Sequence, residues 1–144
     1  MLFRSNAKPP VLANDWWQAL IQRYTWRNVD FAALNEPGEQ SLAAELFDNV
    51  ADNLIDNALR KTSEVRVTFD PESLTLVVTD SGDAIPTAVA RELFNAPLPS
   101  PSSLGVGLYH ASRLAAQHGF ALALAHNEPG RVSFRLAMVH KKFI

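Results

Sequence analysis

Cysteine is absent from this chain of 144 residues. Disulfides and thiolate metal sites are thereby excluded, and the composition suits a reducing compartment. No apolar run approaches the roughly 20 residues that a membrane span needs. The opening MLFRSNAKPP lacks the apolar stretch of a signal peptide. Charge of one sign is scarce too. The formal net charge is −2, so no broad basic surface is available and no nucleic-acid partner is expected. Internal repeats are missing. What remains is a chain 47% hydrophobic, enough apolar material for one domain with a full core. A soluble, cytoplasmic domain is the expectation, either whole or cut from a larger protein, for which a membrane anchor is open.

Periodicity divides the chain. Residues 1–14 carry Lys-Pro-Pro and read as an arm or linker. Residues 15–27 place Trp16, Ala19, Leu20 and Tyr24 on one face of a helix, with Asn14 or Asp15 as cap. Residues 28–34 alternate as a short strand, and 35–39 form a turn. Residues 46–61, LFDNVADNLIDNALRK, are the strongest helix, capped by Ser41. Period two then takes over. Residues 64–69 and 73–79 form an antiparallel hairpin, and 86–94 a short helix. Residues 95–104 are rich in Pro and Ser and read as a loop; 105–118 are a second long helix closed by Gly119. Residues 120–125 and 131–138 are strands about a turn at 126–130, and 139–144 a basic-apolar tail. Strands that cluster in hairpins predict an α+β fold: a two-layer sandwich, its sheet mixed and mostly antiparallel, with helices on one face.

Three stretches carry possible chemistry. In the long helix, Asn49, Asn53 and Asn57 recur at a four-residue step. At about 100° per residue they form a stripe drifting about 40° each time, beside the apolar arc of Phe47, Val50, Leu54 and Ala58. Asp48, Asp52 and Asp56 are expected on the solvent side. An Asn carbonyl is a neutral oxygen ligand suited to Mg²⁺ beside phosphates; a polar seam accounts for the same residues without a ligand. Arg60 is the phosphate-contact candidate, and Lys61 a complement to the helix C-terminus. Asp80 ends an apolar strand with Gly82 two residues on. A carboxylate there can accept from an exocyclic amine while the glycine admits a planar ring; an ordinary Asp-Ser-Gly turn looks the same. Gly105-Val106-Gly107 opens the second long helix, where free N–H groups favour phosphate. No third glycine completes a dinucleotide fingerprint, and no Gly-Lys-Ser/Thr follows.

The order of these stretches is more specific than any one. It resembles the ATP-binding family of gyrases, heat-shock chaperones, histidine kinases and mismatch-repair proteins (the Bergerat fold), and within it the catalytic domain of sensor histidine kinases. The likeness runs from Asp15 to Met138. NLIDNALR resembles the N box, which implies Asn57 as the Mg²⁺ ligand, Asn53 beside the phosphates and Arg60 in place of the usual Lys. DSGDAI resembles the first glycine box, which implies Asp80 as adenine anchor with Gly82 and Ile85 beside it. LFNAPL, with Phe94 and Pro97, resembles the F box heading an ATP lid. GVGLYHASRLA resembles the second glycine box, which brings Gly105, Val106, Gly107 and Leu108 to the nucleotide. ATP-hydrolysing members carry a Glu four residues before the metal Asn. Here that position is Asn53, and an amide cannot be a general base. The resemblance therefore implies a domain that binds Mg-ATP and donates the γ-phosphate to a histidine on a separate dimerisation domain, with a response regulator downstream and the isolated domain monomeric. The sequence departs from the pattern at Ala84, where a second glycine is usual, and at His110, where an aliphatic is common. Before the second glycine box the lid stretch has Arg91 as its lone basic residue. His110, His118, His126 and His140 match no phosphoacceptor pattern. The alternative is a nucleotide-binding or docking module that transfers nothing.

Overall fold

The computed structural model describes residues 9–34, 38–61, 64–95 and 103–139, with only the backbone for 103–106. A short antiparallel pair joins β1 (Val11–Leu12) to β3 (Ser41–Leu42). Five described strands form the main sheet in the order β2-β4-β5-β7-β6: β2 (Val29–Phe31), β4 (Val65–Asp70), β5 (Thr75–Asp80), β6 (Phe120–Glu128) and β7 (Arg131–Met138). β2 runs parallel to β4 and every other pairing is antiparallel. A parallel neighbour needs a crossover, and α2 (Ala44–Lys61) supplies it. The fold is thus the α+β sandwich expected, with a mixed, mostly antiparallel sheet.

Alternation decides which face is covered. Val65, Val67 and Phe69 of β4, Leu76 and Val78 of β5, and Val132, Phe134 and Leu136 of β7 all lie buried on one side. Against them sit α2, α1 (Ala13–Arg23) and α4 (Ser103–Gln117). Trp17 stacks on Phe69 at 5.5 Å and meets Phe31 edge-on at 5.4 Å. Trp16 packs edge-on against Phe47 at 5.2 Å. Trp26, by contrast, stands 92% exposed.

Several element boundaries move. The segment expected to be an arm contributes β1, and Ala13 is buried at the start of α1, its N–H bonded to Gln40 O at 2.8 Å. Ser41 pairs in β3 instead of capping α2, and α1 starts after Leu12 with no side-chain cap. Local sequence cannot anticipate a two-residue pairing whose partners lie thirty residues apart. The short helix is α3 (Thr87–Glu92), entered from Pro86. β6 continues to Glu128 through a bulge between Leu124 and His126, so the turn shrinks to Pro129 and Gly130. Gly130 has φ 86° and Gly119 φ 79°, the latter where a helix C-cap is expected. Residues 96–102 of the Pro/Ser loop, Pro97 among them, and 140–144 of the tail lie outside the described residues.

Candidate nucleotide site

The site is laid out along α2. Its apolar arc sinks Phe47, Val50, Leu54 and Ala58 into the core, as the periodicity requires. The aspartates lie on the solvent side as expected, partly exposed, but solvent is not their only partner. They receive α1. Trp16 Nε1 donates to Asp48 Oδ1 at 2.9 Å. Arg23 Nη2 lies 3.0 Å from Asp52 Oδ1 and 3.4 Å from Asp48 Oδ1. The Tyr24 hydroxyl stands 2.8 Å from Asp52 Oδ1 and 3.2 Å from Asp56 Oδ1. Burial first, and then the Asp52 carboxylate, push the Tyr24 phenol far above its ordinary pKa. It therefore stays a neutral donor at any physiological pH. Sequence reasoning placed these carboxylates correctly on the helix and missed their partner, because α1 alone offers no signal of where it docks.

One turn round the helix, Asp52, Asn53, Asp56, Asn57 and Arg60 line a cavity of about 210 Å³. Asn53 Nδ2 donates to Asn49 O at 2.9 Å and lies 3.2 Å from Asn49 Oδ1. Asn49, the least distinguished member of the stripe by sequence, thus orients Asn53. Arg60 Nη1 donates to Asn57 Oδ1 at 3.2 Å. Asn57 Nδ2 is buried with no hydrogen-bond partner among the described residues. An unmade bond of that kind costs about 1–3 kcal/mol.

Asp80 lies at the far end of α2. Val65 pairs with Asp80 in the sheet, which brings the start of β4, just after α2, beside the end of β5. Asp80 is 4% exposed. Its Oδ1 accepts from Gly82 N at 2.9 Å, and its Oδ2 is 3.2 Å from Lys61 Nζ. Lys61 was expected only to complement the helix end; the structure puts it on the candidate anchor. The loop after Asp80 is held by the β6–β7 hairpin end. Gly130 N donates to Gly82 O at 2.9 Å. Asn127 brackets Ile85, accepting from its N–H at 2.7 Å and donating to its carbonyl at 2.9 Å. Ile85 itself is buried. Nothing in the local sequence marks Asn127, because its role depends on the β6–β7 turn folding back over the loop.

The glycines on α4 are displaced from expectation. The helix begins at Ser103, so Gly105 and Val106 lie inside its first turn instead of before it. The Gly105 N–H still falls among the four that a helix leaves unpaired, while Val106 is the first residue whose N–H enters the helical ladder. Gly107 faces α2, where an added Cβ would overlap Asn53 Oδ1. Leu108 is fully buried. Phe94 is half-buried and meets Phe134 edge-on at 6.2 Å. Gly107→Ala separates two effects. Alanine favours the helix by about 1 kcal/mol, while the new methyl group must turn the Asn53 amide away from Asn49. Little change in melting temperature is expected, with about tenfold weaker ATP binding; calorimetric titration beside a thermal melt measures both.

Along α2 the candidates fall in order. Lys61 and Asp80 are at one end, Asn57 and Arg60 a turn away, and Asn53 against Gly107 a further turn on. Eight residues of helix give this row a length of about 12 Å. The cavity is rich in hard oxygen donors, from two amides and two carboxylates, which suits Mg²⁺ better than a soft metal. Buried acceptor at one end, oxygen-rich cavity at the other: the donor set fits a metal-bound nucleotide.

Residues 39–141 match the model of the histidine kinase-, DNA gyrase B- and HSP90-like ATPase family. The chain belongs to that family, and it is an ATP-binding domain of the family's type. Its fold is that of histidine kinase catalytic domains. It is similar to the mycobacterial sensor histidine kinase MprB, at TM-score 0.67 and 22% identity over 90% of this chain and 95% of that one. It is similar to the catalytic domain of histidine kinase ThkA, at TM-score 0.72 and 19% identity over 90% and 95%. Full-length ShkA, solved with AMPPNP, superposes at TM-score 0.73 and 18% identity over 96% of this chain, which spans 33% of that protein. No curated protein sequence matches the chain at a significant level.

Proposed function

We propose that this domain binds Mg-ATP along α2 and donates the γ-phosphate to a histidine on a separate helical domain, as the catalytic part of a sensor histidine kinase. The observation that carries the reading is Asn53. It occupies the cavity wall where a hydrolase needs a carboxylate, and its amide cannot activate water. The two carboxylates that do line the cavity, Asp52 and Asp56, are engaged by Tyr24 from α1. A pocket that holds a triphosphate without a base for water suits transfer to a protein acceptor.

In this reading Asp80 accepts the exocyclic amine of adenine, and Gly82 and Ile85 floor the base site. Phe94 stands at the head of the lid. Arg60 and the first turn of α4, around Gly105, Val106 and Gly107, serve the phosphates, with Leu108 seating that turn in the core. Asn57 would hold Mg²⁺ through its carbonyl, and the metal would neutralise charge on the phosphates during transfer. Asn53 and Asn57 thus act by position and charge, not by moving protons. Among the described residues no helix is long and apolar enough to cross a membrane. The domain would work on the cytoplasmic side, where its ATP is. A response regulator would receive the phosphate downstream, and the domain alone would be monomeric. A second reading, a docking module without transfer, is favoured by one feature, the Lys61 ammonium standing on Asp80.

The test is an ATP titration with and without Mg²⁺, followed by transfer of labelled γ-phosphate to a histidine-bearing dimerisation domain. Binding that strengthens with Mg²⁺, transfer lost in Asn57→Ala and almost no steady hydrolysis are expected. Steady turnover by the domain alone would argue for a hydrolase, and ATP binding without any transfer would argue for the docking module.

A further inference from the structure

The Lys61 side chain lies where a base would have to settle. Its Nζ is 3.2 Å from Asp80 Oδ2, and Gly82 N already occupies Oδ1. Both carboxylate oxygens are therefore engaged before any ligand arrives. The stem matters as much as the charge. A Cβ added at Gly82 would come within 3.3 Å of Lys61 Cε and 3.4 Å of Lys61 Cβ. The methylenes thus run alongside the glycine that a planar ring must approach. The side chain is 26% exposed, so solvent reaches it and it can swing out without leaving a cavity in the core.

We propose that Lys61 is the affinity-determining residue of the base site, a resident occupant that the nucleotide base must displace from Asp80. The inference rests on Asp80 being the base anchor. An exocyclic amine is a neutral donor. Exchanging an ammonium for it keeps a hydrogen bond on the carboxylate but removes the opposite charge beside it, and at a buried position that Coulomb attraction is only weakly screened. The domain therefore binds nucleotide more weakly than the rest of the pocket would allow. The same ion pair steadies the free domain, since a buried carboxylate stripped of its partner is costly. Lys61 consequently affects stability and ligand binding with opposite signs, which a merely structural lysine does not do.

Lys61→Met keeps the length of the stem and removes the charge. The variant is expected to melt at a lower temperature yet bind ATP about tenfold more tightly in calorimetric titration. Inorganic tripolyphosphate, which has no base, is expected to bind the variant and the wild type equally. Lys61→Arg keeps the ion pair and is expected to bind ATP as the wild type does. Weaker ATP binding by Lys61→Met would overturn the proposal, as would a parallel loss of tripolyphosphate binding, which would make Lys61 a phosphate contact. An unchanged ATP affinity in Lys61→Met, while Asp80→Asn still abolishes binding, overturns the role of Lys61 and leaves the base anchor standing. Failure of every form to bind ATP overturns both.

Discussion

Asp80→Asn is expected to weaken ATP binding by roughly ten- to a hundredfold, the equivalent of a hydrogen bond to a charged group at about 1.5–3 kcal/mol. Asp80 is buried at the end of β5, with the Gly82 N–H on one oxygen at 2.9 Å and Lys61 on the other at 3.2 Å. All of its contacts are donors. A carboxylate can accept from the Gly82 N–H on one oxygen and, on the other, from Lys61 or from the base amine that takes its place. An amide has one acceptor and must point its NH₂ at one of these donors, leaving a clash on one side. Lys61 loses its counter-charge but is partly exposed and can turn to solvent. The fold is therefore expected to survive, and a thermal melt run beside the titration checks that. Tripolyphosphate binding at the other end of α2 is expected to be unaffected. An ATP affinity equal to that of the wild type would remove Asp80 from the base site.

Trp17→Ala is expected to cost about 3–5 kcal/mol, the usual range for deleting a buried aromatic. Trp17 is 1% exposed, stacked on Phe69 and edge-on to Phe31. Phe31 and Phe69 sit on β2 and β4, whose ladder holds them in place, so they cannot readily collapse into that volume. Against a total stability of about 5–15 kcal/mol, the loss approaches half of what holds the domain folded. At about 2–4 °C per kcal/mol for a domain near this size, a melting temperature lower by about 10–15 °C is expected. The functional consequence follows from α1. It carries Trp16, Arg23 and Tyr24 onto Asp48, Asp52 and Asp56, and two of those aspartates line the cavity. Loosening α1 frees those carboxylates beside the phosphate end. A melt that shifts by only a few degrees would mean that Trp17 is not the anchor of α1.

Much of the site was legible in the sequence because its chemistry is local. Asn49, Asn53 and Asn57 share a face through helical periodicity alone. Asp80 and Gly82 are two residues apart at the end of a strand whose alternation is plain. The hairpin of β4 and β5, the long α2 and the closing strands follow from local pattern, and so does the α+β class.

Long-range placement was not legible. Sequence put Asp48, Asp52 and Asp56 on the outer side of α2, but only the docking of α1 turned them into its attachment. Lys61 looked like a helix-end cation until the register of Val65 with Asp80 brought it onto the Asp80 carboxylate. Asn127 became a bracket for Ile85 only when the β6–β7 turn folded back. By itself, then, the sequence determined which residues stand on which face of each element, because periods of 3.6 and 2 are properties of the backbone. The tertiary structure alone decided which faces meet. Burial is shared between segments far apart in the chain, and an ion pair or hydrogen bond between them depends on both ends at once.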